Sequence, residues 1–164
     1  MGAAPDIGAV EYSSSTQANH TLVVTSPVDS GSGTLREAVT RANNTPGPQF
    51  ITFSGALDLS SASDINLTSQ IAITGDVTIV GAGADQLTVD AGGNDRIFEI
   101  DDATVKLSGI TLTGGDAGTG LGGAIHADGV DLTLHQVAIT SNTANRAGGV
   151  HLSDGHLAVV DSTY

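Results

Sequence analysis

The run FEIDDATVKLSGITLTGGDAGTGLGGAIHADGVDLTLHQVAITSNTANRAGGVHLSDGHLAVVDSTY, residues 98–164, decides how the whole chain reads. It repeats itself. Phe98, Ile125 and Val150 hold equivalent places, 27 and then 25 residues apart. Val105, Leu132 and Leu157 form a second set, Leu107, Leu134 and Val159 a third, and Leu112, Ile139 and Tyr164 a fourth. Within each unit the step from first marker to last is 14 residues, so the difference in length falls between Leu112 and Ile125 and between Ile139 and Val150. Three short strands keep register while one loop varies.

Repeats of this length in a single sense are too short for a strand–helix–strand crossover, and a meander would reverse direction at each turn. The chain winds instead into a parallel coil, each turn lying ~4.8 Å above the last. Alternation then sorts the side chains. Phe98 and Ile100 point inward with Glu99 outward, and Leu132 and Leu134 inward with Thr133 outward. Upstream, QIAITGDVTIVGAGADQLTVDAGG (residues 70–93) carries the theme less regularly through Ile71, Ile73, Val77, Ile79, Leu87 and Val89.

Composition agrees with an all-β fold. Of 164 residues only 3% are aromatic and none is Trp, so the core must be layered from Val, Ile, Leu and Ala, while 22 glycines supply tight turns. Eighteen acidic residues against five basic ones give a formal charge of -13, which argues against nucleic acid or an anionic membrane as partner. With no cysteine there is no disulfide framework, thiolate metal site or thiol nucleophile. No apolar run approaches the ~20 residues of a membrane span, so membrane insertion is not expected. MGAAPD lacks the charged start and apolar middle of a secretory leader, and the chain reads either as cytosolic or as the mature or excised part of an exported protein, the second being the expectation that the resemblance below favours.

Ahead of the repeats, residues 1–20 read as an N-terminal strand and a linker, SSSTQANH, at 13–20. Residues 21–50 read as a cap, with a strand TLVVTS and a helix over about 34–43. Thr34 and Glu37 have capping-box spacing, Leu35, Ala38, Val39 and Ala42 make one apolar face, and Asn43, Pro46, Gly47 and Pro48 end the helix. One amphipathic helix before a strand-rich tract is expected to act as a lid. Residues 51–164 are the coils.

The stretch TSPVDSGSGTLREAVTRANNTPGPQFITF resembles the N-terminal cap of large bacterial surface proteins built on right-handed, pectin-lyase-like parallel β-helices. GGAI at 122–125 and ITSN at 139–142 resemble the paired GGAI and FxxN repeats of polymorphic outer-membrane proteins and related adhesins, with Ile139 in place of the Phe. In such families segments like DIGAVEY occur where a β-helical domain closes. The resemblance implies a right-handed parallel β-helix with a short N-terminal capping helix, at the cell surface or outside the cell. Its expected role is structural or adhesive.

Coiling stacks equivalent residues in columns, and these define the candidate sites. Glu99, His126 and His151 form one outward column, and Thr104, Asp131 and His156 another. The two imidazoles beside a carboxylate are weak candidates for a transition metal, since no fourth ligand is evident. Asp101 stacks with Asp128, while Asp154 falls one residue out of register, a weak Ca²⁺ arrangement. Pectin-lyase-like folds include polysaccharide lyases and hydrolases. Arg96, Lys106 and Arg146 share no column with two Asp residues, so no catalytic residues are assigned, and a carbohydrate-active enzyme or glycan-binding module stands as the alternative. No cofactor is expected beyond that candidate Ca²⁺.

The variable loops TGGDAGTGLGG and TSNTANRAGG lie on one side of the stack, where Asp116, Asn142, Asn145 and Arg146 are candidates for contact with a ligand such as a surface glycan. The same Gly and Asn residues also serve left-handed turns. Outward Thr111 and Thr113 suggest an ice-binding ladder, which Ala138 interrupts. Asn19, Asn43 and Asn66 lie in N-x-T sequons.

Tyr164 takes the place of Ile139, so the third unit reads as an open coil whose acceptor edge is Leu157, Val159 and Tyr164. The segment Ile7–Tyr12 reads as a strand able to complete such an edge, with Ile7, Ala9 and Glu11 on one face and Gly8, Val10 and Tyr12 on the other. Donation to a neighbouring molecule gives a head-to-tail fibre of identical subunits. Two other readings are an excised window of a tandem array, with PDIGAVEY the tail of a preceding domain, and back-folding within one chain.

Overall fold

The computed structural model describes residues 21–55, 57 and 63–164. The N-terminal strand and linker, with Ile7, Gly8, Ala9, Val10, Glu11, Tyr12 and Asn19, lie outside the described residues.

A chain in which apolar residues alternate over short runs, each followed by Gly, Asp or Asn, forms strands that bury one face and turn at once. The order is β1 (Thr21–Val24), α1 (Leu35–Asn43), β2 (Gln49–Phe53), β3 (Ser63–Asn66), β4 (Ile71–Ile73), β5 (Val77–Val80), β6 (Leu87–Asp90), β7 (Phe98–Asp101), β8 (Thr104–Thr113), β9 (Ile125–Asp128), β10 (Val130–Thr140), β11 (Val150–Leu152) and β12 (Gly155–Val160). All described strand pairs are parallel. They form a β-solenoid of about five turns.

Three sheet faces wrap the core. One runs β4–β7–β9–β11. A second runs β1–β2–β5–β8–β10–β12, and the third joins β3 and β6 to the later part of β8. The sequence suggests three separate strands per coil, but two of them are one strand taken round a corner. β8 pairs with β5 through Val105–Ser108 and with β6 through Thr111–Thr113, and Gly109, at φ 60°, makes the bend between. Gln136 (φ 54°) and Asp161 (φ 48°) occupy the same corner in the next two coils. A single left-handed residue redirects the strand while the pairing continues on both sides of it.

The register is the one the repeat implies. Ile71, Phe98, Ile125 and Val150 stack, as do Val77, Val105, Leu132 and Leu157. Leu22, Ile51, Ile79, Leu107, Leu134 and Val159 form the longest inward column. The first five of these are buried. Each fully covered Leu or Ile contributes roughly 1.5–3 kcal/mol, so the core is a pile of thin, mostly aliphatic layers, with Phe98 the one fully buried aromatic among the described residues.

The variable loops keep register on both sides of their length difference. Asp116 bridges Thr143 and Leu121 bridges Arg146, so residues 117–120 face only 144–145 and absorb the two extra residues. Gly122 shows why GGAI begins as it does. Its φ is +65°, and a Cβ there would sit 2.1 Å from the carbonyl oxygen of Ile125.

Helix α1 follows its sequence pattern closely. Thr34 caps it by accepting from the Glu37 backbone N–H at 3.2 Å, and Leu35, Ala38, Val39 and Ala42 are buried against β1, β2 and β4. Glu37 reaches back one residue further than a capping box does, its Oε2 accepting from the Gly33 N–H at 2.7 Å. Asn43 ties the helix end to the coil, donating to Ala72 O at 2.9 Å and accepting from Thr74 N–H at 3.0 Å. The stretch 21–50 is more than a lid, because β1 is itself the first strand of the second face. No described helix is long and apolar enough to cross a membrane.

Candidate functional site: the exposed coil and the side-chain ladders

Parallel stacking makes the two ends of a solenoid chemically unlike. At one end α1 lays its apolar face over the first strands. β1, β3 and β4 at that end, and β11 and β12 at the other, each pair with one strand only, so both ends carry N–H and C=O groups with no described strand beyond them. At the β11–β12 end the apolar layer is exposed as well: Leu157 and Val159 are each 37% accessible, whereas Leu132 and Leu134 beneath them are 1% accessible. Tyr164 is 81% accessible, and with Ile139, Asn142, Ala147, Gly149 and Val150 it lines an end groove of about 420 Å³. The three residues expected at the acceptor edge therefore share one exposed end.

The loop candidates do not act alike. Asn142 is turned into the structure. Its Oδ1 accepts from Gly115 N–H at 2.7 Å, and its amide nitrogen donates to Thr140 O at 2.9 Å and Leu112 O at 3.1 Å. Through these backbone partners Asn142 staples two coils together. Asp116 closes its own turn by accepting from Gly118 N–H at 2.8 Å, but it stays exposed, as do Asn145 and Arg146.

The column of Glu99, His126 and His151 is present as read from the spacing, with a member that spacing could not place. Arg96 Nη1 lies 2.6 Å from Glu99 Oε2, and His126 Nδ1 lies 2.7 Å from Glu99 Oε1. The His126 and His151 ring centroids are 5.4 Å apart with a tilt of 32°. The two carboxylate oxygens of Glu99 are thus taken by a guanidinium of its own coil and an imidazole of the next. Arg96 stands three residues before Glu99 along the approach to β7, an offset that reveals nothing until the backbone turn is known.

Asp101 and Asp128 stack in register and are exposed, with Asp154 displaced by one position as the sequence implies. Among the described residues no group of three or more His, Cys, Asp or Glu side chains is arranged to hold a metal ion. Thr104, Asp131 and His156 also stack in register.

Sequence reasoning missed Asp29 altogether. Arg36 on α1 donates through Nε and Nη2 to Asp29 Oδ1 at 3.0 and 2.7 Å, and through Nη1 and Nη2 to the carbonyls of Gln70 (2.8 Å) and Ser69 (2.6 Å). Thr68 donates its N–H and hydroxyl to Asp29 Oδ2. Burial alone would push the Asp29 carboxyl up, but the hydrogen bonds from Thr68 and Arg36 outweigh it and hold the group below its ordinary value. This knot pins the helix to the turn before β4.

No family model matches the chain, and neither the curated proteins nor the solved structures gave a match.

Proposed function

We propose that the protein is a non-catalytic structural and adhesive component of an extracellular surface, whose solenoid units join head to tail. Its kinship, on this proposal, is with the pectin-lyase-like surface proteins whose GGAI and FxxN repeats its own tetrapeptides resemble. The observation that supports the assembly is the parallel stacking itself: each coil offers the next a backbone edge and an aliphatic layer, so units of this kind can join by the same pairing that joins coils within one.

An exposed parallel edge over an aliphatic layer takes a strand most readily, because one added strand pairs its backbone and covers its side chains together. The occupant is Ile7–Tyr12 of a second copy. Its alternation offers Val10 and Tyr12 to one side and Ile7 and Ala9 to the other, and a linker of Ser, Thr and Asn joins it to β1. A contact between unlike ends does not close on itself and propagates as a filament.

Removing residues 1–12 tests this. Sedimentation and negative-stain images should show filaments for the full chain and isolated particles for the truncated one, with unchanged far-ultraviolet circular dichroism. Filaments of equal length from both would overturn the donated strand.

A further inference from the structure

Six parallel strands, β1, β2, β5, β8, β10 and β12, make the broadest face, and their register aligns its outward side chains in two columns. One is Thr21, Phe50, Thr78, Lys106, Thr133 and Ala158. The other is Val23, Thr52, Val80, Ser108, His135 and Val160. These columns hold no carboxylate, in a chain whose formal charge is -13. The other faces differ. Outward positions of β7 and β9 carry Glu99, Asp101 and Asp128, and those of β3 and β6 carry Asp64 and Asp90.

The strip is also open, with exposed apolar side chains set among Thr, Ser, Lys106 and His135. Val23 is 48% accessible, Val80 40%, Val160 45% and Phe50 36%. Carboxylates stand at its margins, Asp76 and Asp131 on one side and Asp161 on the other, the last 4.0 Å from His135.

We propose that this strip is a self-docking surface, which pairs side by side with the same strip of a second copy. Charge selects the face. Two strongly acidic molecules repel wherever carboxylates meet, and this is the sheet face on which the central columns of both partners lack them. The shape suits it too, since two flat sheets with β-branched outward residues pack face to face at ~10 Å. Six strands at ~4.8 Å and two columns ~7 Å apart give roughly 300–400 Å² per copy. That is under half the ~800 Å² per partner of a stable interface. Pairing of single copies is therefore weak, and it strengthens wherever copies are repeated in register.

The chain has no cysteine, so single thiols can report each face. Val80→Cys lies on the strip, Ala72→Cys and Thr140→Cys on the other two faces, and all three positions are exposed. With a short bis-maleimide, and rates normalised to labelling by a mono-maleimide, the Val80→Cys chain should cross-link at least tenfold faster than the others. Adding Thr78→Glu and His135→Glu should bring it down to their level with the circular dichroism unchanged. Equal rates on the three faces, or cross-linking that survives the added carboxylates in the folded chain, would overturn the proposal. The comparison is between faces of one chain, so it stands or falls apart from the head-to-tail contact.

Discussion

Leu157 sits directly above Leu132 in the same inward column, yet Leu157 is 37% accessible and Leu132 only 1%. The two are alike in chemistry and in register. What separates them is the presence of one more coil overhead, and energetics and association both follow from that difference.

Truncating the covered column should cost far more than truncating its exposed member. Leu107→Ala is expected to lose about 2–5 kcal/mol through lost burial and a residual cavity, and Leu157→Ala under about 1.5 kcal/mol. Urea denaturation of the two variants measures both. Equal losses would mean that the exposed coil is covered in solution.

Charging the exposed layer should separate assembly from folding. Leu157→Glu with Val159→Glu is expected to keep the wild-type circular dichroism and move the unfolding midpoint by only a few degrees, while abolishing sedimentable assemblies. Particle size by sedimentation velocity decides it.

Asn142→Ala leaves the Gly115 N–H and the Leu112 and Thr140 carbonyls without their shared partner. Stability should fall by about 1–3 kcal/mol, and hydrogen exchange should accelerate at the Gly115 amide and its neighbours before it does elsewhere. A ligand-contact role predicts no such change in exchange.

The Asp29 knot gives a pH dependence with a defined sign. A carboxyl held below its unfolded value of about 3.9 stabilises the fold above that pH and loses the contribution as pH falls through the depressed folded value. Asp29→Asn should therefore be destabilising at pH 7, and its difference from wild type should shrink on acidification below about pH 4. Urea midpoints at pH 7, 4 and 2.5 test this, and a gap that widens in acid would contradict it.

Gly122→Ala should be among the most damaging small substitutions, since both the positive φ and the approach of the Ile125 carbonyl must be relieved. Gly118→Ala is the control: its φ is also positive, +53°, but nothing lies within 4 Å of the added carbon. Thermal unfolding should rank Gly122→Ala well below Gly118→Ala.

The amino-acid sequence by itself determined the coil, the identity of its columns and the cap helix. A strand pattern of period 2 nested in a repeat of about 25 residues has one stacking solution, and the Thr34 cap with its apolar face has one helical phase. The columns of Phe98 and Leu132, and the pairing of Glu99 with His126, were legible for that reason. Only the tertiary structure decided what lies across a turn: Arg96 against Glu99, Arg36 against Asp29 and Thr68, and the inward fold of Asn142 onto Gly115. These contacts depend on where a non-repeating backbone bend points a side chain, and a repeat fixes neighbours above and below without fixing that direction. The carboxylate-free strip belongs to the structure as well. It emerges when β1, β2 and β5, whose spacing in the sequence is irregular, join β8, β10 and β12 in one continuous face.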